Sequence, residues 1–193
     1  MAVDEAWQRN MGDTMRQYLT FELDGRFYGV GVEFVNSVLD PQAVTPLPRA
    51  ATIVTGLTNV RGNVVPVFDP RETLARTKVD DERISRSLSD AEAGEGEVTV
   101  LSGDDAAEEG GIIIFEIENG TLLPFIGLQA DRIGKVILLE DTQLAAVPDF
   151  LPESASRYYE GFCFVAGIRH SILNLKELAS RDTLFMTEGA RRG

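Results

Sequence analysis

Cysteine and histidine are almost absent from this sequence: its 193 residues hold Cys163, His170 and no other of either kind. A single thiol excludes an internal disulfide framework and fits a reducing compartment. One histidine beside one thiol does not make a zinc site. Basic residues are also in short supply, with 18 Lys and Arg against 31 Asp and Glu and a formal charge of −13. Nucleic acid demands clustered cations, so that class of partner is excluded. No apolar run approaches the ~18 residues of a membrane span. Residues 1–16 show no basic start followed by an apolar stretch, so no secretory signal is expected. What is present is 44% hydrophobic residues and 15 aromatics, enough to bury a core. Composition thus points to a cytoplasmic, cofactor-free and metal-free molecule that faces other proteins.

The negative charge is concentrated. Residues 80–110 contain 11 acidic and two basic residues, −9 of the total −13. The same stretch is rich in Gly, Ser and Ala, a composition that buries too little to offset its ordering entropy. It predicts an acidic flexible insert over 76–110, solvated rather than docked and removable without disturbing the rest. Val98 to Leu101 is the one place in it for a short strand. The insert divides the chain into a tail (1–16), a first β-unit (17–75), a second β-unit (111–180) and a C-terminal helix end and tail (181–193).

Each unit opens with the same local signal. Tyr18 to Leu23 is followed by Asp24-Gly25 and then by Arg26 to Val30; Ile112 to Glu118 is followed by Asn119-Gly120 and then by Thr121 to Phe125. Asp-Gly and Asn-Gly between apolar runs are tight-hairpin chemistry, because glycine takes positive φ cheaply. Farther on, at an offset of 105 residues, Gly56, Val60, Gly62 and Glu72 meet Gly161, Val165, Gly167 and Glu177. The sequence therefore predicts a duplicated β-unit of one small barrel each. Further short β-branched runs lie at 63–68, 135–139, 161–168 and 171–174. Pro66 within one of them predicts an edge or bulge, since it has no N–H for the ladder. Helix is confined to Pro152–Arg157 and to a terminal segment capped by Asn174 and running to about Phe185. The class is all-β.

No catalytic set can be assembled. His170 beside Arg169 reads as an exposed turn residue rather than a general base. Cys163 alternates with Phe162 and Phe164 and reads as inert packing. Gly29-Val-Gly31 lacks the third glycine and the lysine of a phosphate loop, and a strand bend explains it. Asp80, Asp81, Asp104 and Asp105 lack the spacing of a calcium loop. The stretch Asn59 to Arg71 is different. Gly62, Pro66 and Asp69 have ordinary backbone explanations, but Arg61 stands between small neighbours that leave its guanidinium accessible. Such a fork suits a carboxylate or backbone carbonyls of a partner protein.

This stretch resembles the CheW family of chemosensory adaptors, whose pattern reads N-[LV]-R-G-x-x-x-P-[IV]-x-D-L-R. Asn59, Arg61, Gly62, Pro66, Val67, Asp69 and Arg71 fit it. Tyr18 to Phe21, Tyr28 to Val30, Val44-Thr45 and Gly56 resemble the family's first half. Gly127, Asp131 to Ile133, Val136, Gly161 and Ile172 to Leu175 resemble its second. The resemblance implies two SH3-like five-stranded β-barrels packed together, no catalysis, and two partners: the regulatory domain of a CheA-type histidine kinase and the cytoplasmic tip of chemoreceptors in arrays at the inner membrane. It implies receptor contact by Arg61, Gly62, Gly56 and Val35, a kinase contact at Phe27, and structural roles for Asn59, Pro66, Asp69, Arg71 and Asp131. Gly31, Ser37 and Pro70 depart from the family pattern, and the acidic insert is not usual. Two alternatives stay open beside the standard array: a divergent pathway serving pili or surface motility, and a stand-alone β-barrel binding module.

Overall fold

The computed structural model describes residues 15–47, 53–76, 81–90, 98–101, 110–117 and 124–180. The strands are β1 (Met15–Leu23), β2 (Arg26–Gly31), β3 (Val35–Leu39), β4 (Thr45–Pro46), β5 (Val54–Val60), β6 (Asn63–Phe68), β7 (Thr99–Leu101), β8 (Gly111–Glu116), β9 (Phe125–Ala130), β10 (Arg132–Glu140), β11 (Tyr159–Val165) and β12 (Ile168–Leu173). The helices are short: α1 (Arg71–Arg76), α2 (Asp81–Asp90), α3 (Glu153–Ser156) and α4 (Leu175–Leu178). The all-β class holds. The terminal helix stops at Leu178 instead of near Phe185, with Asn174 accepting the Glu177 N–H at 3.3 Å as its cap.

Two six-stranded sheets form, in the orders β11-β12-β2-β1-β10-β7 and β3-β8-β9-β6-β5-β4. Each holds the expected five strands and one more, and the pairings leave two edge strands in each. The duplication is plain in the turns. Arg61 and Gly62 have φ of 51° and 88°; 105 residues on, Ala166 and Gly167 have 50° and 78°. Gly56 pairs with Val67 and Gly161 with Ile172, each just after a register shift. A Cβ on Gly56 would overlap the Thr45 carbonyl oxygen, and one on Gly161 would lie 2.5 Å from the Ala145 carbonyl oxygen. Glycine is required at both places so that the preceding strand segment can approach.

The sheets do not follow the two sequence halves, however. The first hairpin, β1–β2, pairs with β10 and β12 from the second half. The second hairpin, β8–β9, pairs with β3 and β6 from the first. Boundaries at 17–75 and 111–180 therefore do not delimit the sheets, because the hairpins are exchanged between them. The first strand also begins earlier than expected, at Met15, and Arg16 bonds Asp141 at 2.8 Å.

The core lies in three layers. Between the sheets sit Phe21, Leu23 and Val30 of one and Phe68, Phe115 and Leu128 of the other. A smaller cluster fills the far side of each sheet: Tyr18, Ile137, Leu139, Cys163 and Ile172 in one, Val65, Val67, Ile112 and Ile114 in the other. Strands such as β8 are thus apolar on both faces, which is why 112–115 reads as an unbroken Ile-Ile-Ile-Phe run.

The expectation of a solvated insert fails at residues 81–90, whereas the short strand expected at Val98 to Leu101 does form. Residues 81–90 form a helix, and Ile84 (0% exposed) and Leu88 (3%) are part of the central core. Arg83 lies 4.1 Å over the Phe150 ring, and Ser85 accepts a 3.1 Å hydrogen bond from Arg169. Residues 99–101 form β7 and extend the first sheet beyond β10. A net acidic composition concealed an apolar pair one helical turn apart, which is enough to dock the segment. Pro66 is a subtler case: β6 is an interior strand, but its pairing with β9 covers only Val67 and Phe68. The proline sits where β6 has β5 alone as its partner, so no second ladder is broken.

Candidate functional site

The tip of the β5–β6 hairpin carries the residues singled out from sequence. Asn59 accepts the Gly62 N–H at 2.9 Å and closes the turn. That bond holds Arg61 and Gly62 at positive φ. For Gly62 this costs little; for Arg61 the left-handed region costs about 1–2 kcal/mol. The Arg61 side chain is exposed, and among the described residues no carboxylate pairs with it. The accessible guanidinium expected from sequence is present, and the turn, rather than small neighbours alone, is what projects it.

Gly56 is different. It is buried, and the Thr45 carbonyl occupies the place where its side chain would be. It shapes the β4–β5 pairing beneath the turn rather than presenting a surface. Val35 is half-buried at the start of β3, separated from β5 in the sheet by β8, β9 and β6. Strand pairing therefore does not bring Val35 beside Arg61.

Asp69, Arg71 and Asp131, far apart in sequence, converge. Arg71 Nη1 bonds Asp69 Oδ2 at 2.6 Å, its Nη2 pairs with Asp131 Oδ1, and its Nε lies 3.2 Å from Asp24 Oδ1. Asp131 Oδ2 also accepts the Asp24 N–H at 2.8 Å, and Asp69 Oδ1 accepts the Arg71 N–H at 2.9 Å. Burial alone would lower the Arg71 pKa, but the carboxylates of Asp69, Asp131 and Asp24 outweigh it and hold it above its ordinary value. One guanidinium thus ties the end of β6 to the β1–β2 and β9–β10 turns, and so one sheet to the other. Asp24 was legible only as half of an Asp-Gly turn; its place here depends on tertiary contacts.

Phe27 lies on β2, half-buried, its ring centroid 5.2 Å from that of His170. His170 is not the exposed turn residue the sequence suggested. It is 7% exposed in mid-β12, its Nδ1 3.0 Å from the Ile168 carbonyl oxygen, and burial lowers its pKa. The turn itself is Ala166-Gly167. Beside Phe27 an open cavity of about 380 Å³ runs between β2, β12 and α2, lined in part by Arg26, Ser85, Ile168 and Arg169. Neighbours β1 and β12 take both edges of β2, so Phe27 is closed to strand addition and is open only toward this cavity. Cys163 is buried, and desolvation pushes its thiol up to about 12, which leaves no thiolate for chemistry near neutral pH.

The family model described as the CheW-like domain matches residues 17–182. The chain is 25% identical over 175 residues to a protein of Treponema pallidum named chemotaxis protein CheW, covering 87% of this chain and 88% of that one. It is 20% identical over 182 residues to a protein of the same name from Klebsiella aerogenes, covering 94% and 92%. The crystal structure of scaffolding protein TtCheW from Thermoanaerobacter tengcongensis superposes with a TM-score of 0.61 at 19% identity, covering 89% of this chain and 97% of that one.

Proposed function

The chain belongs to the CheW-like domain family, and from that premise we propose that it is a non-catalytic chemotaxis scaffold, coupling chemoreceptor cytoplasmic tips to a CheA-type histidine kinase. The observation that carries this reading is the Arg61-Gly62 tip. The turn holds this arginine out to solvent with no carboxylate partner among the described residues, which leaves its charge free to meet another protein. Its guanidinium suits a carboxylate or main-chain carbonyls of a receptor.

Arg61 and Gly62 form the receptor contact in this reading, with Val35 touching the receptor from β3. Gly56 serves it indirectly by letting β4 lie against β5. The kinase contact uses the cavity beside Phe27. Arg71 with Asp24, Asp69 and Asp131 keeps the two sheets, and hence the two contacts, in fixed relation. Among the described residues no helix is long and apolar enough to cross a membrane, and attachment to a receptor array at the inner membrane would come through the receptors.

The test is reconstitution with a CheA kinase and a receptor cytoplasmic fragment, reading kinase autophosphorylation. Addition of the protein should place the kinase under receptor control, and Arg61→Glu should abolish that control while kinase binding persists. Kinase activity indifferent to the wild-type protein would overturn the reading.

A further inference from the structure

We propose that the outer edge of β3 is a strand-addition site for an extended, basic segment of another protein. The inference goes beyond the adaptor reading and is argued from strand pairing and charge; it concerns the open edge of the strand whose first residue, Val35, that reading gives to the receptor.

Its basis is the internal duplication. Strands β11-β12-β2-β1-β10 of one sheet correspond in order to β5-β6-β9-β8-β3 of the other. The match extends to register. Phe21, Leu19 and Tyr18 of β1 face Ile133, Val136 and Ile137 of β10; Phe115, Ile113 and Ile112 of β8 face Val35, Val38 and Leu39 of β3. Both pairs carry a register shift between the first and second of these contacts. So β3 is the twin of β10. In the first sheet the outer edge of β10 is not bare: β7 lies antiparallel on it at Val136, Ile137 and Leu138. In the second sheet the twin edge has no strand on it among the described residues.

Open edges in soluble proteins are blunted by charge, proline or a covering element. Strand β3 itself, Val-Asn-Ser-Val-Leu, carries no charge, and Val38 on it is 46% exposed. What fits there is what fits on β10, where β7 is Thr-Val-Leu: an extended, β-branched-rich segment held by main-chain hydrogen bonds.

Charge selects the occupant. Asp40 follows the strand directly, and Glu116 accepts a 3.0 Å hydrogen bond from Asn36 on it. Lys176 lies near the strand's start, 5.5 Å over the Phe34 ring. With the whole chain at −13, a second copy or the acidic insert would meet like charge, whereas Lys or Arg flanks on a partner segment meet Asp40 and Glu116.

The experiment uses the full chain and a nine-residue peptide of alternating Thr and Val with two lysines at each end. Its counterpart has glutamates at the ends. Amide hydrogen exchange should slow across 35–39 with the lysine peptide and not with the glutamate peptide. Val38→Lys should abolish binding, and Asp40→Asn with Glu116→Gln, which leaves the backbone untouched, should weaken it about threefold to tenfold. Rising salt should weaken it further. No slowing at 35–39, equal binding of both peptides, or indifference to these variants would overturn the proposal. So would self-association in sedimentation that Val38→Lys removes, since a second copy would then be the occupant.

Discussion

Truncating Ile84 to alanine should destabilise the fold by about 2 to 5 kcal/mol. The residue sits on α2, within the segment whose composition suggests a solvated loop, yet it is fully buried with Leu88 one turn away. Removing its outer carbons forfeits their transfer free energy and leaves a cavity in the layer between the sheets, where Phe115, Leu128 and Phe162 also pack. For a chain of this length each kcal/mol lowers Tm by about 2–4 °C, so the expected fall is about 4 to 20 °C. Urea unfolding followed by far-UV circular dichroism measures it, and the slope m should not change, because the surface exposed on unfolding is nearly the same. Arg86→Ala, exposed on the same helix, is the control and should stay within about 0.5 kcal/mol of the parent. By the same reasoning a Gly/Ser linker in place of 77–110 removes Ile84, Leu88 and the β7 pairing together. Loop shortening returns only about 0.6 kcal/mol per halving, so this variant should be less stable than Ile84→Ala. An Ile84→Ala protein as stable as its parent would refute the docking of α2.

Four further outcomes are expected. Arg61→Ala should leave Tm unchanged but weaken receptor pull-down by about 2 to 5 kcal/mol if the guanidinium is desolvated at the contact. Gly62→Val should cost about 1–2 kcal/mol in urea unfolding through positive φ alone, as a Cβ there meets nothing within 4 Å, whereas Gly62→Asn should recover most of it. Gly56→Ala should cost more than Gly62→Val, because its Cβ collides with the Thr45 backbone and β4 must move. Burial lowers the His170 pKa, so the unfolded chain binds the extra proton first. Stability from this group is therefore present above its unfolded value near 6.5 and is lost as pH falls toward the folded value; His170→Asn should flatten that part of the urea-midpoint profile.

Local chemistry was readable in the sequence, and distant pairing was not. Asp24-Gly25 and Arg61-Gly62 make turns because of what those residues are, wherever they fall in a fold. The 105-residue offset matches Gly62 to Gly167 and so held the signal for a turn at Ala166-Gly167, but the charged neighbour of His170 suggested a turn residue there instead, and the structure puts it inside the following strand. The choice of partner for each hairpin is a different matter. The hairpins β1–β2 and β8–β9 have nearly the same apolar pattern, so nothing local says that each must pair with strands from the opposite half. The Arg71 cluster shows the same limit. Asp69 and Arg71 are two residues apart and legible as a motif, and Asp131 was marked by resemblance, but Asp24 joins them only because the hairpins are exchanged. Ile84 and Leu88 did leave a signal, an i, i+4 apolar pair, submerged in a charged segment.

The exchange of hairpins also sets a schedule for synthesis. Strand β1 ends at Leu23, while β10, its neighbour in the sheet, begins at Arg132. At translation rates of about 5–20 residues per second, the first hairpin waits roughly 5 to 20 s on the ribosome before that strand exists. Its apolar residues Tyr18, Phe21 and Tyr28 have no native cover during that time. The second hairpin has no such wait, since β3 and β6 are made before it. The nascent chain is therefore most exposed to misassociation early, at its N-terminal hairpin, and the first sheet is completed only after Leu173 emerges.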